Sequence, residues 1–147
     1  MKNITPKLIR LFKENYCTPN IIKIARKLKE PSTTIHYNIK KLEKEGKIKT
    51  YKAVFDYKKI DQEFCAYALV DLSPSECDCD KMAKELSKYP EIESIDICTG
   101  DWELVIKIRT KNQEEYYNLI KKVAREGVNK IKTLTSLKQL KTEFVEL

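Results

Sequence analysis

The sequence predicts an α+β protein of two small units, a helical one followed by an antiparallel sheet covered by helices, and three observations carry the prediction. In the first third, apolar residues recur at helical spacing in three short runs introduced by Thr-Pro, Thr-Pro and Pro-Ser pairs. Beyond Phe64, stretches with strand character and helical runs follow in the order βαββαβ. Charge divides near the same place. Residues 1–60 hold 16 Lys and Arg against 5 Asp and Glu, a net charge of +11, whereas residues 61–147 hold 13 against 17, a net charge of −4. A basic unit joined to an acidic one suits a chain whose first part meets a polyanion and whose second part does not.

The first unit, residues 1–55, reads as a winged helix-turn-helix. Thr5-Pro6 has the form of a cap followed by proline at the first helical position, and Leu8, Ile9, Leu11 and Phe12 make a stripe that ends near Asn15. Thr18-Pro19 repeats the signal ahead of Ile21, Ile22, Ile24, Ala25 and Leu28. This second helix must stop before Pro31, which removes a donor and holds Glu30 extended. Ser32 then caps a third helix, with Ile35, Ile39 and Leu42 as a narrow inward stripe and Gly46 as the left-handed residue that closes it. The third helix is the expected recognition helix. Its outward residues Ser32, Thr33, Thr34, His36, Tyr37, Lys40 and Lys44 set hydroxyls and an imidazole where base edges would be read, and lysines where phosphates would lie. KIKTYKAVF, at residues 47–55, alternates like a strand pair or wing and offers Lys47, Lys49 and Lys52 to a nucleic-acid backbone. Double-stranded DNA is the expected partner, and residues 56–62 read as a linker.

The second unit, residues 63–147, opens on FCAYALVDL, apolar on both alternating faces as in a strand covered on two sides. A helix starts at Ser75 or Asp78 and runs through Tyr89, with Met82, Ala83 and Leu86 buried. Residues 92–99 and 102–110 are two strands joined tightly at Gly100-Asp101. Asn112 caps another helix, which turns Tyr116, Leu119, Ile120, Val123 and Ala124 inward and closes at Gly127, and residues 131–144 form a long final strand. This is the order of a ferredoxin-like domain with both helices on one face. The other face needs a cover, most simply the same face of a second chain. A homodimer is therefore expected, presenting two recognition helices to half-sites about 34 Å apart or a multiple of that.

Composition narrows the chemistry. Gly46, Gly100 and Gly127 are the three glycines, which excludes a loop that needs two or three together to cradle phosphates. His36 is the single histidine, and Cys17, Cys65, Cys77, Cys79 and Cys98 make no Cys-x-x-Cys pair, so no metal and no cofactor are expected. No apolar run reaches the 18 residues or so of a membrane span, and MKNITPKLIRLF lacks the apolar core of a secretion signal. The expectation is a cytoplasmic protein with no membrane partner.

Two stretches, LEKEGKIKTYKAVFD at residues 42–56 and TGDWELVIKI at residues 99–108, resemble the most recognisable segments of the leucine-responsive regulatory protein (Lrp/AsnC, feast/famine) family. The likeness extends over essentially the whole chain, whose lysine- and isoleucine-rich, glycine-poor composition is archaeal-like. The resemblance implies a sequence-specific DNA-binding transcriptional regulator without catalytic residues. A winged helix-turn-helix is followed by a ligand-sensing RAM domain; dimers form through the sheets and can assemble further into tetramers of dimers (octamers). The effector is an amino acid or related metabolite held between neighbouring dimers. The turn before the recognition helix departs from the family's glycine-leucine-serine-like sequence, reading Lys29-Glu30-Pro31-Ser32.

Matched residue by residue, Thr99, Gly100, Asp101 and Trp102 correspond to the family's effector loop. A free amino acid would find backbone N–H groups at Gly100 for its carboxylate and Asp101 for its ammonium, with hydroxyls added by Thr133, Thr135 and Ser136 of the final strand. The same loop also reads as a plain hairpin turn with Trp102 as an anchor. Two alternatives stand beside the regulator: an architectural DNA-binding protein with no effector, and an enzyme resembling sirohaem decarboxylases. The latter would call on histidine or arginine in the second half, where only Arg109 and Arg125 occur.

Overall fold

A computed structural model describes residues 3–73, 78–124, 127–142 and 145–146. Among them no helix is long and apolar enough to cross a membrane. The chain divides into two compact units, Met1–Phe55 and Asp56–Leu147.

Three helices build the first unit: α1 (Thr5–Lys13), α2 (Ile21–Leu28) and α3 (Ser32–Lys44). Their starts differ from the expected caps. Thr5 is already helical, its amide donating to Asn3 Oδ1 at 3.0 Å. The second helix is capped by Asn20, whose Oδ1 accepts from the Lys23 amide at 3.0 Å. The helix begins at Ile21, so Thr18 lies outside it and the Asn20 carboxamide serves as the cap. Ser32 lies one residue inside α3; Pro31 holds the cap position with extended backbone and no side-chain bond. Lys29, in the left-handed region at φ 55°, turns the chain out of α2.

Ala25 and Ile35 are the buried apolar residues of this unit, with Ile9, Ile24 and Ile39 half-buried. Leu8, Leu11 and Phe12 of the expected α1 stripe stay exposed, and Leu42 sits at the rim. Fifty-five residues have too little volume to enclose them all. Gly46, at φ 70°, closes α3. The expected wing strands do not pair. Residues 47–55 form no ladder, yet burial alternates strand-like, with Tyr51, Ala53 and Phe55 half-buried and Lys52 and Val54 exposed. The segment offers no turn sequence that would fold it back on itself.

The second unit begins with a short 3-10 helix, Tyr57–Ile60, in what the sequence marks as linker. It continues through β1 (Phe64–Leu72), α4 (Cys79–Leu86), β2 (Ile92–Ile97), β3 (Leu104–Thr110), α5 (Gln113–Val123) and β4 (Val128–Thr135), and ends in a two-stranded ribbon of β5 (Lys141–Thr142) and β6 (Val145–Glu146). The main sheet has the order β2-β3-β1-β4, antiparallel throughout, as a ferredoxin-like domain requires. One face of it, carrying Ala66, Ala68, Val70, Leu72, Leu104, Ile106 and Ile108, packs on Met82 and Leu86 of α4 and on Tyr116, Leu119 and Val123 of α5.

Asp78 caps α4 through a bond from the Lys81 amide, and Asn112 caps α5 through one from the Glu115 amide. The alternative start Ser75 lies outside the described residues, as do Cys77, Arg125 and Phe144. α4 stops at Leu86, short of Tyr89, and Ala124 is exposed beyond the end of α5. The final strand starts three residues earlier than expected and breaks at Ser136, whose amide donates to the Cys65 carbonyl at 2.9 Å. β1 begins at Phe64, so residues past 136 have no strand left to pair with, and the chain makes a separate ribbon.

Candidate nucleic-acid face and effector loop

On α3, Ser32, Thr33, Thr34, His36, Tyr37, Lys40 and Lys44 are all exposed, and Lys49 is exposed beyond Gly46. Their ion pairing separates the lysines. Lys40 Nζ donates to Glu43 Oε2 at 2.8 Å, and the other carboxylate oxygen accepts from the Tyr51 hydroxyl at 3.1 Å. Glu45 takes Lys47 at 2.7 Å and Lys41 at 3.9 Å. Lys44 and Lys49 have no ion pair among the described residues. The hydrogen bond with Lys40 holds the Glu43 carboxyl below the usual carboxylate range, and the same bond raises Lys40. Tyr51 is pushed up, first by partial burial and then by the Glu43 carboxylate. Sequence reasoning missed Glu43 and Tyr51. The Lys-x-x-Glu spacing across 40–43 and the alternation of residues 47–55 are the signals that could have found them.

The expected tight turn between β2 and β3 is a four-residue loop. Ile97 and Leu104 are the last ladder pair, the Cys98 amide donates to the Glu103 carbonyl at 2.8 Å, and Thr99, Gly100, Asp101 and Trp102 span the end. Gly100 takes φ 111°, a conformation side chains resist, and a Cβ there would meet nothing within 4 Å. Thr99, Gly100 and Asp101 are exposed, whereas Trp102 is half-buried, with Lys130 Nζ 5.8 Å from its ring centroid. Glu103 secures the base of the loop by accepting from the Leu72 amide at 3.1 Å.

Strand register separates this loop from the hydroxyls of β4. Leu104 pairs with Val70 and Val70 with Ile131, so the loop lies beyond the Ile131 end of β4. Thr133, Thr135 and Ser136 run the other way along the strand, beside Ala68, Ala66 and Cys65. The Thr133 hydroxyl is already engaged, 2.6 Å from the Tyr116 hydroxyl of α5. One protomer therefore brings Thr99–Trp102 together and leaves Thr133, Thr135 and Ser136 apart from them.

The helix-free face of the sheet carries Tyr67, Leu69, Val105 and Leu134 beside an ionic cluster that sequence reasoning did not find. Arg109, 7% exposed, donates through Nε to Glu93 Oε1 at 2.6 Å, and Lys107 Nζ meets Glu93 Oε2 at 3.1 Å. Burial would raise the Glu93 carboxyl, but Arg109 and Lys107 overcome it and hold it low. Burial pushes the neighbouring Cys65 thiol up. Among the described residues no group of three His, Cys, Asp or Glu side chains could hold a metal ion.

Residues 65–145 match the family described as the Lrp/AsnC ligand binding domain. The chain is also 32% identical over 148 residues to the HTH-type transcriptional regulator FL11 of Pyrococcus horikoshii, covering 100% of this chain and 95% of that protein. It belongs to the Lrp/AsnC family. The HTH-type transcriptional regulator FL11 of Pyrococcus furiosus is 32% identical over 139 residues, covering 94% of this chain and 90% of that one. Solved Lrp/AsnC structures share the fold. An AsnC family transcriptional regulator from Agrobacterium tumefaciens superposes with a TM-score of 0.76 at 17% identity, covering 99% of this chain and 95% of that one. The Neisseria meningitidis regulator NMB0573, solved as its L-Met complex, superposes with a TM-score of 0.75 at 16% identity, covering 97% and 93%.

Proposed function

We propose that this Lrp/AsnC protein is a sequence-specific DNA-binding transcriptional regulator that acts as a homodimer inside the cell and responds to an amino acid or related metabolite. The observation that carries the reading is the exposed face of α3, with hydroxyls and an imidazole toward its N-terminal end, on a unit of net charge +10 joined to a ligand-binding domain. Ser32, Thr33, Thr34, His36 and Tyr37 read base edges, Lys44 and Lys49 take phosphates, and Lys40 lies on the same face. The apolar residues Tyr67, Leu69, Val105 and Leu134 are the dimer surface, and further assembly reaches a tetramer of dimers.

Gly100 and Asp101 hold the carboxylate and ammonium of the effector, flanked by Thr99 and Trp102. Because Thr133, Thr135 and Ser136 lie elsewhere in the protomer, their hydroxyls complete the site only from a neighbouring chain. The L-Met complex of the Neisseria regulator supports an amino acid as ligand. The protein carries no catalytic role.

Fluorescence anisotropy of labelled duplex DNA against salt tests the DNA reading. A log–log slope on the order of −6 to −10 is expected if roughly that many phosphates are neutralised, and a flat response overturns it. Thermal unfolding against the twenty amino acids tests the effector. A ligand at about 100 times its dissociation constant stabilises by about 2.7 kcal/mol; no shift with any of them favours the architectural alternative. A visible spectral change on adding an iron tetrapyrrole would instead favour the enzyme.

A further inference from the structure

Glu43 places a carboxylate on the helix that is to approach DNA, where a negative charge opposes binding. Both of its oxygens are committed, Oε2 to Lys40 and Oε1 to the Tyr51 hydroxyl. Its side chain is 29% exposed against 61% for Lys40, so the carboxylate is the anchored partner and the lysine is folded onto it. Lys44, four residues further along α3, has no such partner among the described residues, and neither does Lys49. A cation already neutralised within the protein displaces no counterion from DNA.

We propose that Glu43 is a positioning residue that withholds Lys40 from the DNA phosphates and, through Tyr51, ties the recognition helix to residues 47–55. Non-specific affinity is lowered in consequence, and a larger share of binding rests on the base-reading residues at the other end of α3. The inference depends on the DNA-binding reading above.

Anisotropy titrations of the full-length chain with a non-specific duplex between 50 and 200 mM salt test it. Glu43→Gln keeps an acceptor for Tyr51 and releases Lys40. Its log–log slope should steepen by about 0.9 for each recognition helix, about 1.8 for the dimer, a roughly 12-fold greater loss of affinity over that range. Lys40→Ala should leave the wild-type slope unchanged and cancel the gain when combined with Glu43→Gln. Tyr51→Phe, which alters no charge, should keep the wild-type slope. An unchanged slope in Glu43→Gln, or a Lys40→Ala slope shallower by about 1.8 for the dimer in the wild-type background, overturns the proposal. A flat wild-type slope removes the DNA-binding reading and this one with it.

Discussion

The Arg109 guanidinium lies 3.6 Å from the centre of the Tyr57 ring. Tyr57 thereby stacks on one of the two cations, Arg109 and Lys107, that share the Glu93 carboxylate, and this contact holds the 3-10 helix at the start of the second unit on the sheet.

This cluster makes stability depend on pH in a defined direction. Glu93 titrates lower when folded than its unfolded value of about 4.3, so its contribution is present above that value and lost as pH falls through the folded one. The urea midpoint of the wild type should drop more between about pH 5.5 and 3.5 than that of Glu93→Gln. Equal drops would show that the cluster does not titrate as described.

Thr133 has a structural partner independent of any effector. Replacing it with valine leaves the largely buried Tyr116 hydroxyl without its hydrogen-bond partner, and chemical denaturation should report a loss of about 1 kcal/mol. Unchanged stability would show that the Thr133–Tyr116 contact contributes nothing, whatever the variant does to the amino-acid response.

The start of α2 separates two candidate caps. Asn20→Ala should destabilise by about 1 kcal/mol and Thr18→Ala by much less, since only Asn20 accepts from the helix. Thermal melts that reverse this order would return the cap to Thr18.

Gly100→Ala probes the loop. Space is open around the position, so the penalty is conformational, on the order of 1–3 kcal/mol from placing a side chain at φ 111°. Calorimetric titration should show weakened amino-acid binding as the backbone moves. Unaltered binding in a destabilised variant would mean that Gly100 serves only the turn.

Much of the architecture was legible because its signals are local. The 3.6-residue stripes of Ile35 and Ile39, the alternation of FCAYALVDL and the Asn112 cap each lie within one turn or one strand, and each element forms where those patterns stand. Element ends were less legible. Asn20 and Thr18 are both good caps, and which one serves depends on whether the helix begins at Pro19 or at Ile21. α1 has a clear apolar stripe, but whether it is buried depends on how much volume the rest of the unit supplies.

By itself, then, the sequence determined the three helices of the first unit, the βαββαβ order of the second, the outward face of α3 and the separation of charge between the two halves, since periodicity and composition are properties of neighbouring residues. Tertiary structure alone decided that the last strand breaks at Ser136, where β1 runs out; that Thr133 turns to Tyr116 and lies away from the Gly100 loop; and that Arg109 finds Glu93 and Tyr57. Those outcomes follow from strand register and from which polar groups must find partners once buried, and both join residues far apart in the chain.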